Sequence, residues 1–438
     1  MAPDARPAGS VGRPALVRAI GRWDLTAAVV NGVIGSAIFG MPAQQAALTG
    51  AWSPLAYLIA GLGVLTIVLC FAEVGSRFNE PGGPYLYSRA AFGSFVGFQA
   101  GWLTFWIRVT ALAANLNVFV SYLSQVLPGA GTPAGRTATM TLVIGIISAV
   151  NVIGVRQATW TLNAFTLAKL LPLAGLVVLG LPAIDRDVLA GQQVATPDWT
   201  QAILLLMFAY GGFEAPLIPA GEAKDPRRDT AAALLVALAV IAGVYMLVQL
   251  VVVGILPGAA AEEAPLAAAY RRLLGPAGVA LASAGAMVSI WGYSTGSVLQ
   301  SPRLLFSMAE RGELPRFLGR VHPRFRTPDV SILLFSSLAL AVAVAGTFEG
   351  IATLSAIVRL LTYGLVCAAL LVFRARSAAP PGFRVPGGWA VAPVAVLFCL
   401  WLLSTRTFAQ AWILVGLVAL GAALWLTARG GGGAPPAV

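Results

Sequence analysis

The chain has 438 residues, of which 58% are hydrophobic and only 10% charged, and its mean hydropathy is +0.84. A water-soluble domain of this length needs far more charge on its surface, which excludes one here. The formal charge of +11 would suit a nucleic-acid binder, but its distribution along the chain argues for another origin.

Residues 1–23 carry Arg6, Arg13, Arg18 and Arg22 among prolines and glycines. They lack the apolar core and small-residue cleavage site of a signal peptide, so they are expected to stay as a cytoplasmic tail. Apolar runs long enough to cross a bilayer, roughly 20 residues each, then recur to the end of the chain. Turn and charge signals place them near 24–49, 52–78, 92–126, 137–155, 158–181, 198–222, 229–256, 275–309, 328–345, 349–373, 388–408 and 410–427. Twelve transmembrane helices leave no room for a sizeable soluble domain. Between the second and third spans, Glu80–Gly93 is too polar and broken to cross and reads as a short amphipathic piece on the inner surface. Glu310–Arg326, basic and interrupted by Pro315 and Pro323, reads the same way. Residues 428–438 form a Gly-rich tail. Cys70, Cys367 and Cys399 all fall inside spans with no CxxC neighbour, so neither a disulfide framework nor a metal site is indicated, and no cofactor is expected.

With the N-terminus placed in the cytoplasm, about 20 Arg/Lys fall on inner segments and about 5 on outer loops, as the positive-inside rule requires. The outer set is Arg136, Arg186, Arg271, Arg272 and Arg406. This asymmetry predicts a multi-pass inner-membrane protein with both termini cytoplasmic. It also accounts for the excess charge without nucleic acid.

Two spans carry helix-breaking signals. The first contains Asn31-Gly-Val-Ile-Gly-Ser-Ala-Ile-Phe-Gly40 followed by Pro42, and the sixth contains Phe208-Ala-Tyr-Gly-Gly-Phe-Glu214 followed by Pro216 and Pro219. Each break lies roughly 18 Å into its span at about 1.5 Å per residue, near the membrane midplane. Glycine weakens a helix, and proline suits the first turn of a new half-helix. Unwound backbone at that depth is tolerated only where protein or a watery cavity satisfies it. Such breaks offer N–H donors and C=O acceptors, the pair that an α-amino acid zwitterion needs. First and sixth spans correspond if five helices are repeated with inverted topology, the arrangement of many secondary transporters. Close helix packing explains either glycine motif alone. Two at matching depth, each followed by proline, favour the binding reading over packing.

Asn31–Pro42, the Glu80–Gly93 loop with its Gly-Gly-Pro-Tyr-Leu-Tyr core, and Phe208–Arg228 together resemble amino acid permeases of the amino acid–polyamine–organocation (APC) superfamily. The likeness runs through essentially all twelve spans. Asn79, where many relatives have proline, departs from the pattern and bears on the loop's local shape. The resemblance implies a LeuT-like five-plus-five inverted repeat, with residues 24–181 and 198–373 as its halves and 388–427 as two further helices. It implies that the substrate carboxylate meets backbone N–H groups of Ser36, Ala37 and Ile38 beside Gly35. The ammonium would meet carbonyls near Val33, Ile34, Phe208 and Ala209 beside Gly211, with Tyr210 or Phe213 as an aromatic gate. The third, eighth and tenth spans would line the side-chain pocket with Val109, Thr110, Ala113, Ala114, Tyr293, Ser294, Ser297 and Ser355. Small, weakly polar groups favour neutral amino acids over cationic ones or polyamines, although the eighth-span residues serve close packing equally well.

Charges inside the spans are few. Lys169 lies near the midplane of the fifth span, and the chain has only one other lysine, Lys224. A buried amine can gain and lose a proton. Relatives carry a lysine at this place (FTLAKLLP here), where it reaches the first helix and stands where sodium-coupled cousins bind an ion. It therefore reads as a proton-coupling group or as a fixed strut. Arg108 lies in the third span, Arg359 in the tenth, and Glu214 just past the sixth-span break. Glu214 suits a half-helix cap, and Arg108 either pairs with it or reads a substrate carboxylate. Glu73 and Glu222, near Arg77, Arg227 and Arg228, read as inner-gate ion pairs or as solvated boundary charges.

An enzyme would need a nucleophile–base set, a metal cluster or a phosphate loop. The only histidine, His322, lies in a basic loop, and no HExxH, GxSxG or GxxxxGK[ST] pattern occurs. The sequence thus predicts a secondary active transporter of amino acids, proton-coupled. An amino acid/polyamine exchanger, a channel or a nutrient sensor on the same scaffold stay open.

Overall fold

A computed structural model describes residues 21–78, 82–154, 159–214, 226–376 and 381–430. Every regular element among them is helical. The first span is two pieces, α1 (Arg22–Val33) and α2 (Ala37–Thr49), separated at Ile34–Ser36. There follow α3 (Ser53–Gly75), α4 (Gly83–Phe92), α5 (Ser94–Leu123), α6 (Pro133–Ile153) and α7 (Thr159–Gly180). A short α8 (Arg186–Gly191) precedes α9 (Trp199–Ala209), which gives way to turn at Tyr210–Glu214. Then come α10 (Pro226–Ile255), α11 (Pro265–Glu310), α12 (Asp329–Ala345), α13 (Phe348–Ala375), α14 (Gly388–Ser404) and α15 (Phe408–Gly430).

Seven helical stretches among the described residues are long and apolar enough to cross a membrane, and four shorter apolar helices accompany them. Each expected span overlaps one of these helices, with local differences. The eighth begins earlier, at Pro265, and is kinked at Gly275, whose φ of 63° no other residue type adopts easily. Glu80–Gly93 contains α4, whereas Glu310–Arg326 forms turns around a single 3-10 segment, Arg316–Gly319. Pro315 and Pro323 leave no room for a longer helix there.

The packing places both interrupted helices at the centre. α2 lies against α9, α1 against α10, and α3 runs along α9, α10 and α13. α5 packs on α11, α12 and α13, and α7 on α10 and α11. α15 packs mainly on α5 and α13 and presents Phe408, Trp412, Ile413, Val415, Leu420 and Leu426 outward. A helix apolar on its outer face is stable where the surrounding solvent is lipid. Inside, the polarity inverts: Glu73, Glu214, Lys169 and Arg359 are buried, as are Gln45, Gln249, Asn115 and Asn117. Buried charges persist only when paired, and their partners define the site.

Candidate functional site

The break between α1 and α2 starts at Ile34, where ψ of 89° turns the chain out of the helix. Pro42 is not at the start of the new half-helix; it is the sixth residue of α2. Its missing N–H acts one turn deeper, so the unwinding belongs to Ile34–Ser36. Lys169 on α7 fixes this unwinding. Its ammonium donates to the Ile34 carbonyl at 2.8 Å, to the Asn31 carbonyl at 2.8 Å, and to the Asn31 side-chain oxygen. All three donors of the amine are engaged, two of them on backbone carbonyls that a continuous helix would have satisfied itself. Beyond the break, the N–H groups of Ser36, Ala37 and Ile38 head α2 with no intrahelical acceptor, the normal state of a helix N-terminus.

The second break packs against the first. Gly212, at φ 116°, sits so close to α1 that a Cβ there would lie 2.4 Å from the Gly32 carbonyl oxygen. The Tyr245 hydroxyl of α10 lies 3.3 Å from the Val33 carbonyl and 3.2 Å from that of Ala209, bridging the ends of α1 and α9. The Phe208 carbonyl accepts from the Gly211 N–H at 3.2 Å. The Val33 carbonyl also accepts from the Gly35 N–H at 2.8 Å. With the single Tyr245 proton on Ala209, each of the four carbonyls expected to receive an ammonium, those of Val33, Ile34, Phe208 and Ala209, has one donor. Each keeps a second lone pair.

A cavity of about 20 Å³ lies between the breaks, lined by Gly32, Val33, Gly35, Ser36, Ala37, Ala111, Asn115, Phe208, Gly211, Tyr293 and Arg359. Of the residues expected to bind substrate, Val33, Gly35, Ser36, Ala37, Phe208, Gly211 and Tyr293 lie on the wall of this cavity. Other expected residues sit behind it. Thr110 turns its hydroxyl back to the Trp106 and Ile107 carbonyls. Ser294 is buried outside the lining. Of the two aromatic gate residues, Tyr210 donates to the Tyr57 carbonyl of α3 at 2.8 Å, and Phe213 packs edge-on against Phe71 and beside Tyr363. Phe208, packed on Phe348, is the phenylalanine that lines the cavity. Asn115 and Ala111 line it from α5, each next in sequence to an expected position (Ala114 and Thr110), with nothing in the sequence pattern to mark them.

Next to the cavity lies a buried charge cluster. Glu214 accepts from the Gly212 N–H at 2.9 Å, the Tyr363 hydroxyl at 2.8 Å and Arg359 Nη1 at 3.1 Å, and Arg108 Nη2 stands 3.6 Å away. Arg108 is therefore directed at Glu214, but Arg359, 2% exposed, is the closer partner and the one that reaches the cavity. A second cluster lies at the end of α3. Glu73 binds Arg77 at 2.9 Å, Arg374 of α13 at 2.9 Å and the Val385 N–H at 2.8 Å. Glu222 lies outside the described residues.

A profile of the amino acid permease family matches residues 20–430. The chain is 30% identical over 363 residues to the serine/threonine exchanger SteT of Bacillus subtilis (strain 168), covering 80% of this chain and 82% of that one. It is 28% identical over 411 residues to the methylthioribose transporter of the same organism, covering 88% of each chain. It is 26% identical over 446 residues to the branched-chain amino acid permease BcaP, also of that organism, covering 94% of each. With its apolar helices, paired helix breaks and a match over nearly its whole length, the chain is a multi-pass membrane protein that belongs to the amino acid permease family of the APC superfamily.

Proposed function

We propose that this permease carries neutral amino acids across the inner membrane by alternating access, with the zwitterion held between the two helix breaks and Lys169 coupling transport to protons. The observation that carries this reading is the cavity bounded by both breaks, with the unpartnered N–H groups of Ser36, Ala37 and Ile38 at its edge. These donors suit a carboxylate at a helix N-terminus, and the carbonyls of Val33 and Ala209, at the ends of α1 and α9 that Tyr245 joins, offer acceptors for an ammonium. At about 20 Å³ the space holds about one water. An amino acid enters only when the surrounding helices move, which fits a carrier in a closed conformation better than an open channel. Twelve crossings arranged as a five-plus-five repeat, with both termini cytoplasmic, accommodate this motion. The relatives' names span serine/threonine exchange, branched-chain amino acids and methylthioribose, so membership alone does not choose the substrate.

Lys169 supports the coupling step through its bonds. A charged amine fills three acceptors on the broken segment, and a neutral amine has one donor fewer, so proton loss frees a carbonyl of Asn31 or Ile34. The test is uptake of labelled neutral amino acids into proteoliposomes, with and without an inward proton gradient, for wild type and Lys169→Ala. Gradient-driven accumulation that the variant loses is expected. Uptake that ignores the gradient and requires internal amino acid would identify an exchanger, with Lys169 as a strut.

A further inference from the structure

Three buried polar groups of the cavity wall have hydrogen-bonding capacity that no described residue uses. The first is Arg359 Nε. Its neighbour Nη1 is held by Glu214 and Tyr363, each at 3.1 Å, while Nε is buried without a partner. The second is Asn115 Oδ1. The amide nitrogen donates to the Ala111 carbonyl at 2.7 Å, which fixes the orientation of the group and leaves the oxygen as a free acceptor. The third is the Ser36 hydroxyl at the head of α2. Arg359 lies over the break at Gly211 and Asn115 over the break at Gly35, where a Cβ would come within 2.7 Å of Arg359 Nε and 3.8 Å of Asn115 Oδ1.

We infer that the cavity is built for an amino acid whose short side chain both donates and accepts a hydrogen bond, a hydroxyl above all, read by Arg359 Nε–H as donor and Asn115 Oδ1 as acceptor. This rests on the proposed transport function and names its substrate class. An aliphatic side chain would leave both buried groups unsatisfied, and such groups are costly to strand. A carboxylate could accept from Arg359 but would set its charge against the Asn115 oxygen. A hydroxyl answers both, and a site that hydrogen-bonds a hydroxyl discriminates strongly against the analogue that lacks it. Arg359 needs Glu214 for this role, because a guanidinium left uncompensated at that depth would not be tolerated. Glu214 is thus a positioning residue, and Arg359 and Asn115 determine specificity.

L-threonine and L-valine differ by a hydroxyl in place of a methyl, and they isolate this contact. Purified permease in detergent is titrated with L-threonine, L-valine, L-serine, L-alanine and L-aspartate, and ligand-induced shifts of the unfolding temperature give apparent affinities. Threonine is expected to bind at least about tenfold more tightly than valine, and serine more tightly than alanine. Asn115→Leu, which keeps the volume and removes the acceptor, is expected to bring the threonine/valine ratio below about threefold. Arg359→Lys, which keeps the charge facing Glu214 but removes Nε, should lower it as well. Valine equal to threonine, aspartate tighter than both, or a ratio unchanged in both variants overturns the inference and leaves amino acid transport standing. No shift with any of the five, in protein that still unfolds cooperatively, counts against the transport function itself.

Discussion

Three glycines at the breaks look alike in the chain and do different work. At Gly35 a Cβ would sit 3.5 Å from the Tyr293 ring, an ordinary contact. Gly35→Ala is therefore expected to fold and bind, whereas Gly35→Leu folds but fills the cavity. Wild-type affinity in a folded Gly35→Leu protein would remove the site from this place. At Gly211 a Cβ would lie 2.2 Å from Arg359 Nη1, so even alanine pushes the guanidinium off Glu214. Gly211→Ala should cost transport and, through the loosened buried ion pair, stability. Gly212 is the most constrained, because its φ of 116° and its approach to the Gly32 backbone both exclude a side chain. Strain of this kind is worth about 1–3 kcal/mol. Gly212→Ala should lower the melting temperature of the detergent-purified protein more than Gly35→Ala does. Equal melting temperatures would mean that the breaks do not need this contact.

At the scale of helices, buried polar clusters tie elements that are distant in the chain. Glu73 joins the end of α3 to α13 through Arg374 and to the segment before α14 through the Val385 N–H. Glu73 and Arg374 are almost fully buried, at 0% and 5% side-chain exposure. Breaking such a pair from one side costs about 3–5 kcal/mol, so Glu73→Gln should lower the melting temperature markedly, and a change within error would place Glu73 among solvated boundary charges. Tyr85 ties α4 to the end of α11: its hydroxyl donates to Glu313 at 2.9 Å and accepts from Arg89 at 2.7 Å. Burial and the Glu313 carboxylate push this phenol above its ordinary range, so it stays protonated. The helices and both breaks were legible because apolar runs and glycine act locally on backbone, whereas Pro42 sits inside α2 and Pro216 and Pro219 lie outside the described residues. The partners were not. Glu73 has Arg77 four residues away, but its cross-helix partner, Arg374, comes from α13. Asn115 lies in a helix whose faces are nearly all buried, so periodicity does not say which side meets the cavity.

For the whole molecule, the arginine asymmetry predicts one orientation, which can be tested apart from transport. The native thiols Cys70, Cys367 and Cys399 are all buried, so wild-type protein should give little background with a membrane-impermeant maleimide. Ala190 at the end of α8 and Arg320 between α11 and α12 are both exposed. They fall on opposite sides of the membrane if the N-terminus is cytoplasmic and the spans alternate as expected. Ala190→Cys should label in intact cells, and Arg320→Cys only after permeabilisation. The reverse pattern would invert the orientation, and labelling of both in intact cells would break the count of crossings between α8 and α12. That count matters beyond topology. If both breaks belong to an inverted repeat, the half-helices α1 and α9 point in opposite directions through the membrane, and their free ends meet at one depth. The N–H groups heading α2 and the carbonyls closing α9 then present opposite partial charges across a single cavity, which is the arrangement that a zwitterion requires.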